Sequence, residues 1–340
     1  ADLYGSGAAS IEAIDRSWMG NTKMPMGPFG MFDQVGLDTV WHIISHRKDE
    51  KSVRFTALLQ QYINEGKLGA KTGDPLTMHK DTPIISFTGG TITGKHIATV
   101  TAPMFKKVSL ELGGKNPNII FADADFDKAV STASRAAFTN QGQICLCGSR
   151  IFVEETIYDR FKKALIAKTS KLTVGDPKNP STNLGAVVSK EHMQKILTKI
   201  KLAENLGGKV LIGGKRKIIE GNLKHGYFIE PTVIEGLSFD CDINQEEIFG
   251  PVLCIMPFDT EEQAIALAND SVYGLGAYVQ TLDIEKAQRV ARQLRAGNVS
   301  INGAAYDYDV PFGGTKQSGN GRENGVYGLH DFLDIKAIAL

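Results

Sequence analysis

From residue 84 to the end of the chain, short apolar runs alternate with stretches of helical period, and glycines separate many of them. Residues 84–87, 108–112, 118–121, 151–153 and 299–301 read as strands. Residues 91–100, 127–138, 156–172, 189–206 and 283–296 read as helices, as does a stretch from Thr260 to Asn269. Parallel strands cannot be joined by a tight hairpin and need a crossover, usually a helix. The alternation therefore predicts an α/β fold with a mostly parallel sheet. The best-patterned helix is 189–206, where Met193, Ile196, Leu197, Ile200, Ala203 and Leu206 share one face and Gly207-Gly208 ends the run. Thr260 with Gln263 forms a capping box.

The first 72 residues have a different character. Ser10 caps a short amphipathic helix that begins at Ile11, and a Met/Pro/Gly-rich turn spans 24–30. Met31, Val35, Leu37 and Val40 then fall at helical spacing. A further helix over 52–65 places Phe55, Leu58, Leu59 and Tyr62 on one face. Residues 66–83 are rich in Gly, Lys, Thr and Pro and read as a junction. A small all-α segment thus precedes the α/β region.

Composition narrows the function classes. Lys plus Arg equals Asp plus Glu, 38 against 38 in 340 residues. Such a chain has no bulk electrostatic reason to bind nucleic acid or an anionic membrane. No apolar run approaches the ~20 residues of a membrane-spanning helix. Four cysteines are too few for a disulfide framework, so a reducing, cytoplasmic setting is expected. Cys145 and Cys147 lack the second pair that a zinc site needs, and no metal is expected.

Five segments carry the candidate chemistry. In "NQGQICLCGSR", Cys145 follows a glycine-bearing turn whose backbone N–H groups would stabilise a thiolate and later an oxyanion. In "LELGGKNPN", Glu111 lies between leucines at a strand end, and apolar surroundings raise a carboxyl pKa toward that of a general base. In "FTGGT", Gly89 and Gly90 join a strand to a helix, where N-terminal amides suit a phosphate. In "EEIFGP", Glu247 and Phe249 are two apart, on one side of an extended chain, an acid for ribose hydroxyls and a ring for a flat base. Residues 311–319 form a glycine-dense loop of the kind that lies against another backbone. Each has a bland reading alone: a buried small hydrophobe for the cysteine, a water-facing edge-strand glutamate, a tight turn, a plain loop.

In this order and spacing, "FTGG", "LELGGKNPN", "NQGQIC", "GYFIEPTV", "EEIFGPV", "YGLGAYV", "RAGNVSIN" and "PFGGTKQSGNGRE" resemble the aldehyde dehydrogenase superfamily. The resemblance implies that Cys145 is the nucleophile and that Glu111 activates the hydrolytic water. It implies further that Gly89, Gly90, Leu112, Glu247 and Phe249 face a bound NAD or NADP, and that the backbone amide of Cys145 supplies half of an oxyanion hole. A glutamate at 111 favours hydrolysis to a free acid over transfer to coenzyme A. "NQGQICLCGSRIFVE" with "SFTGG" looks most like the branch acting on muconic-type semialdehydes. The implied activity is oxidation of an aldehyde, among them semialdehydes, by a homo-oligomer with a small-molecule substrate.

The resemblance starts only near residue 84. The family's adenosine-ribose lysine and its oxyanion asparagine fall before that point and are assigned to no residue here. Residues 1–73 instead resemble the C-terminal domain of 3-hydroxyacyl-CoA dehydrogenases, on "ASIEAIDRSWMGNTKMPMGPFGMFDQVGLDTVWHI" and "INEGKLGAKTG". No catalytic residue is assigned there, and His42 and His46 read as packing or surface side chains. The expected divisions are 1–73 helical, 74–113 junction and residual strand–helix–strand cofactor portion, 114–322 catalytic domain, and 323–340 an oligomerisation-type tail with a strand near 332–338. Two alternatives accompany the dehydrogenase reading: a catalytically silent assembly or binding module, and 3-hydroxyacyl-CoA dehydrogenase chemistry.

Overall fold

The computed structural model describes residues 11, 13–15, 18, 28–46, 49–68, 83–305 and 307–339. The chain divides into two compact units, Ala1–Val108 and Ser109–Leu340.

The first unit contains α1 (Pro28–Val35), α2 (Leu37–Ile44), α3 (Glu50–Asn64), β1 (Ile84–Thr88), α4 (Thr91–Thr101) and the first residues of β2 (Lys107–Glu111). The apolar spacing from Met31 to Val40 is not one helix. Gly36, at φ 99°, separates α1 from α2 in a conformation that a side chain disfavours. The turn places Leu37 and Val40 in a core with Ile14, Phe29, Phe55 and Leu59. Phe29 and Phe55 meet edge to face at 5.5 Å. The expected helix over 52–65 is α3, where the Asp49 carboxylate caps the Ser52 amide at 2.9 Å. Ser10 and residues 69–82 of the junction lie outside the described residues, while His42 and His46 are exposed.

The second unit holds the remaining elements. In chain order these are β3 (Pro117–Ile120), α5 (Phe126–Phe138), β4 (Arg150–Glu154), α6 (Glu155–Thr169), α7 (Lys190–Asn205), β5 (Lys209–Ile212), β6 (Arg216–Lys217), β7 (Phe228–Ile229) and β8 (Thr232–Glu235). There follow α8 (Asp242–Gln245), β9 (Val252–Phe258), α9 (Glu261–Asn269), β10 (Gly276–Gln280), α10 (Ile284–Gln293), β11 (Asn298–Ile301), β12 (Gly319–Asn320) and α11 (Gly325–Asp331). Seven strands form one sheet in the order β11-β10-β3-β4-β9-β8-β5. All neighbours are parallel except β5, which runs antiparallel to β8 at one edge.

The inner strands are almost continuously apolar because both faces are covered. On one face α5 and α6 bring Ala133, Ala137, Phe161 and Leu165 onto Ile120, Ile151, Val153 and Leu253. On the other, α9 and α10 bring Ala264, Ala268 and Val290 onto Ile119, Phe152 and Val279. The predicted face of α7 is buried through Met193, Ile196, Ile200 and Ala203 with Leu197 partly covered, and Ser189 caps the helix, but Leu206 lies past the helix end and is exposed.

The strand expected near 332–338 is not formed. α11 ends at Asp331, and residues 333–339 are exposed and without regular structure. Strand backbone requires a neighbour to take up its N–H and C=O groups, and among the described residues no strand lies beside this segment. No helix among them is long and apolar enough to cross a membrane.

Candidate active site

The site lies at the amino ends of the parallel strands, in the loops that lead into β3, β4 and β9. Glu111 ends β2 and pairs antiparallel with Gly319 of β12. The Leu112 amide donates to the Ser318 carbonyl at 2.9 Å, and Ser318 Oγ donates to the Gly113 carbonyl at 2.6 Å. The glycine-dense loop thus lies along the Glu111 strand, as its composition predicts. Leu112 is itself buried, engaged through its backbone. Glu111 is 3% exposed, and neither carboxylate oxygen has a hydrogen-bond partner among the described residues. Burial raises its pKa to about 8; the negative charge of Glu323 adds to the rise, Arg322 opposes it and Asp331 adds again. A water-facing edge glutamate is therefore not what this strand carries.

Cys145 lies in a turn before β4, half-buried, with a free thiol. The turn is held from three sides. Asn116 Nδ2 donates to the carbonyls of Cys145 at 2.7 Å and Cys147 at 2.9 Å, while its Oδ1 accepts from the Gly276 amide at 2.9 Å. Tyr278 OH donates to the Leu146 carbonyl at 2.6 Å. Gln141 accepts from the Gly185 amide and Gln143 from the Val188 amide, both at 3.0 Å. Gly142, at φ 70°, passes so close to Gly250 that a Cβ would stand 2.1 Å from its carbonyl oxygen. That approach joins the Cys145 loop to the Glu247–Gly250 loop.

The turn amides do not win at the sulfur. The N–H groups of Leu146 and of Cys145 itself pull the thiol pKa down, as expected, but burial and the charges of Glu247 and Glu111 push it above its ordinary value. The resting group is a thiol, and its activation needs a proton acceptor. Cys147 is buried and pushed up to about 11 by the same desolvation, which makes it a poor nucleophile.

Glu247 Oε1 accepts from the Gly114 amide at 3.0 Å. Burial raises its pKa, opposed by that hydrogen bond and by the charge of the buried Lys115. Phe249 does not continue an extended strand. Its φ is 57°, so the same-side expectation for Glu247 and Phe249 fails. The Phe249 ring is 37% exposed and meets His192 edge on at 6.0 Å. Gly89 and Gly90 belong to the first unit. Gly90 occupies the N-cap of α4 without a side-chain hydrogen bond, and the space where its Cβ would stand is open.

Asn116, Ser318 and Arg322 were not singled out from sequence. Each lies inside a motif that was, but a polar residue in a loop gives no sign of its partners until the fold brings them together. Among the described residues no group of three or more His, Cys, Asp or Glu side chains is placed to hold a metal ion.

The fold and this geometry define a parallel α/β domain with a half-buried thiol that feels the charges of a buried carboxyl, Glu111, and a partly buried one, Glu247. The model of the aldehyde dehydrogenase family matches residues 61–338, and the chain belongs to that family. The model of the 3-hydroxyacyl-CoA dehydrogenase C-terminal domain matches residues 1–78. The 2-aminomuconic semialdehyde dehydrogenase of Danio rerio is 47% identical over 276 residues, 80% of this chain and 56% of that protein. The betaine aldehyde dehydrogenase of Bacillus subtilis is 44% identical over 271 residues, 79% and 55% of the two chains. The crystal structure of Staphylococcus aureus betaine aldehyde dehydrogenase in complex with NAD+ superposes with TM-score 0.75 at 42% identity, covering 83% of this chain and 57% of that one. The chain spans about half the length of the curated relatives it matches.

Proposed function

We propose that this chain carries the thiol-and-carboxylate machinery of an NAD(P)-dependent aldehyde dehydrogenase that oxidises an aldehyde to a carboxylic acid. The observation that carries the reading is Glu111: a buried carboxyl with a pKa of about 8, without a hydrogen-bond partner among the described residues and near enough to Cys145 for its charge to be felt there. An unpartnered base beside a thiol is what covalent acyl chemistry needs.

In this reading Cys145 releases its proton to solvent and its sulfur attacks the aldehyde carbon, the carbonyl π bond opening as the C–S bond of a thiohemiacetal forms. The backbone N–H groups at the turn face the charge that develops on oxygen. The nicotinamide ring, when bound, accepts the hydride that turns this adduct into a thioester. Glu111 then takes a proton from water, whose oxygen attacks the thioester carbon. The C–S bond breaks, the acid leaves and the Cys145 thiol is restored.

The residues fit a nicotinamide cofactor. Glu247 offers a carboxylate for ribose hydroxyls and Phe249 a half-exposed ring. The NAD+ complex of the Staphylococcus aureus relative supports NAD, and the Danio rerio relative supports a semialdehyde. The exposed residues 333–339 suit pairing with a second copy, in keeping with a homo-oligomer.

Hydrolysis of 4-nitrophenyl acetate tests the nucleophile without cofactor. Turnover lost in Cys145→Ala and retained in Cys147→Ala supports the assignment; equal activity in Cys145→Ala overturns it. Quenching of NADH fluorescence on adding the protein tests the cofactor separately.

A further inference from the structure

A cavity of about 340 Å³ lies against the two residues that flank Cys145, namely Ile144 and Leu146. The volume is within the range of small-molecule sites. Its wall mixes apolar and polar residues. Thr139 and Ser300 contribute hydroxyls, and Asn118 a wholly buried amide with neither Nδ2 nor Oδ1 partnered among the described residues. Arg135, in the last turn of α5, contributes its guanidinium.

Two features of Arg135 stand out. It is exposed, and its side chain makes no ion pair or hydrogen bond among the described residues. It is also the one charged group in the cavity wall, which holds no Asp or Glu among those residues. A cation with no internal counter-ion, in the wall of a pocket that takes in both chain neighbours of Cys145, selects for a negative group on whatever enters.

We propose that Arg135 is a specificity-determining residue that binds a carboxylate at the far end of the aldehyde, so that the preferred substrate is an anionic semialdehyde rather than a neutral or cationic aldehyde. The apolar side chains of Ile144 and Leu146 take the carbon chain, and the hydroxyls and amide take polar substituents along it. This inference rests on Cys145 being the nucleophile, as proposed above.

The test compares two alkylating agents with one electrophile and different tails, iodoacetylglycine and N-ethyliodoacetamide. The first ends in a carboxylate and the second in a methyl group. The rate of labelling at Cys145 is read by peptide mass spectrometry on the full chain. The ratio of the two rates cancels any change in thiol reactivity itself, so a merely structural role for Arg135 would not move it. We expect Arg135→Gln to lower the ratio about three- to five-fold, the size of one partly solvated charge pair. Arg135→Glu should lower it further, Arg135→Lys should preserve it, and added salt should weaken the preference. A ratio that is the same in the wild type, Arg135→Gln and Arg135→Glu overturns this site and leaves the nucleophile standing. Failure of both reagents to label Cys145 overturns the nucleophile, and this inference with it.

Discussion

Asn116 and Cys145 are joined by a 2.7 Å hydrogen bond from the buried Asn116 amide to the Cys145 carbonyl, and the same nitrogen reaches the Cys147 carbonyl at 2.9 Å. With the Gly276 amide on its oxygen, one side chain ties the Cys145 turn to the starts of β3 and β10. The direction of the N–H groups around the sulfur follows from which way these carbonyls are held.

Asn116→Ala leaves two carbonyls and one amide without their partner. At about 1–3 kcal/mol for each buried group left unpaired, relieved in part by water, the variant should lose roughly 3 kcal/mol. Urea unfolding measures this. Its ester hydrolysis should fall by more than the loss of folded protein explains, because the turn amides are no longer fixed. Hydrolysis that merely tracks the folded fraction would remove the positioning role.

Glu111 makes stability depend on pH with a defined sign. Its pKa is about 8 in the folded protein against 4.5 ordinarily, so between those values the folded state holds a proton that the unfolded chain releases. Stability therefore falls as pH rises from about 4.5 to about 8, and levels off beyond. Glu111→Gln should be insensitive to this change and should exceed the wild type at pH 9 by up to about 5 kcal/mol. Denaturation at pH 5, 7 and 9 measures it, and parallel curves for the two proteins would refute it.

The same substitution should act in opposite directions on two reactions of Cys145. The Glu111 charge raises the thiol pKa, so Glu111→Gln should speed alkylation by neutral iodoacetamide at pH 8.5–9, severalfold. Ester turnover should fall by about 10²–10⁴, the usual contribution of a general base, through slower hydrolysis of the acylated cysteine. Accumulation of the acylated protein, seen by intact mass, identifies the blocked step. A parallel rise or parallel fall of both rates would argue against Glu111 as the base.

Gly142→Ala should disrupt the site from a distance. The alanine methyl would meet the Gly250 carbonyl at 2.1 Å, and φ is 70°, so the two loops must part. We expect a loss of about 3 kcal/mol or more and weaker quenching of NADH fluorescence, because Glu247 and Phe249 shift with Gly250. Unchanged thermal unfolding and quenching would show that the two loops are not coupled.

Much of the second unit was legible in the linear pattern. The apolar period of α7 is a local property, and it named the face that became buried. Caps are similarly local: Ser189 and Thr260 accept from His192 and Gln263 as their spacing implies. In the second case the reciprocal arm of the capping box lands one residue early, on the Asp259 amide. Where local signals misled, a single backbone angle was responsible. Gly36 divided an apparent helix, and Phe249 turned out of an extended run. The strand expected near 332–338 is not formed within the single chain for another reason, since extended residues pair only with a neighbour.

By itself the sequence determined the α/β class, the helix faces, and the motifs that hold Cys145, Glu111 and Glu247, because each is written in residue type and spacing over a few turns of chain. Tertiary structure alone decided their chemistry. Whether Glu111 is an ordinary acid or a base with a pKa of about 8 depends on burial and on charges more than 200 residues away, Glu323 and Arg322. Whether Cys145 is a thiol or a thiolate depends on Glu247 and Glu111 brought together around it. Electrostatic energy follows distance and dielectric in space, and neither is a property of position along the chain.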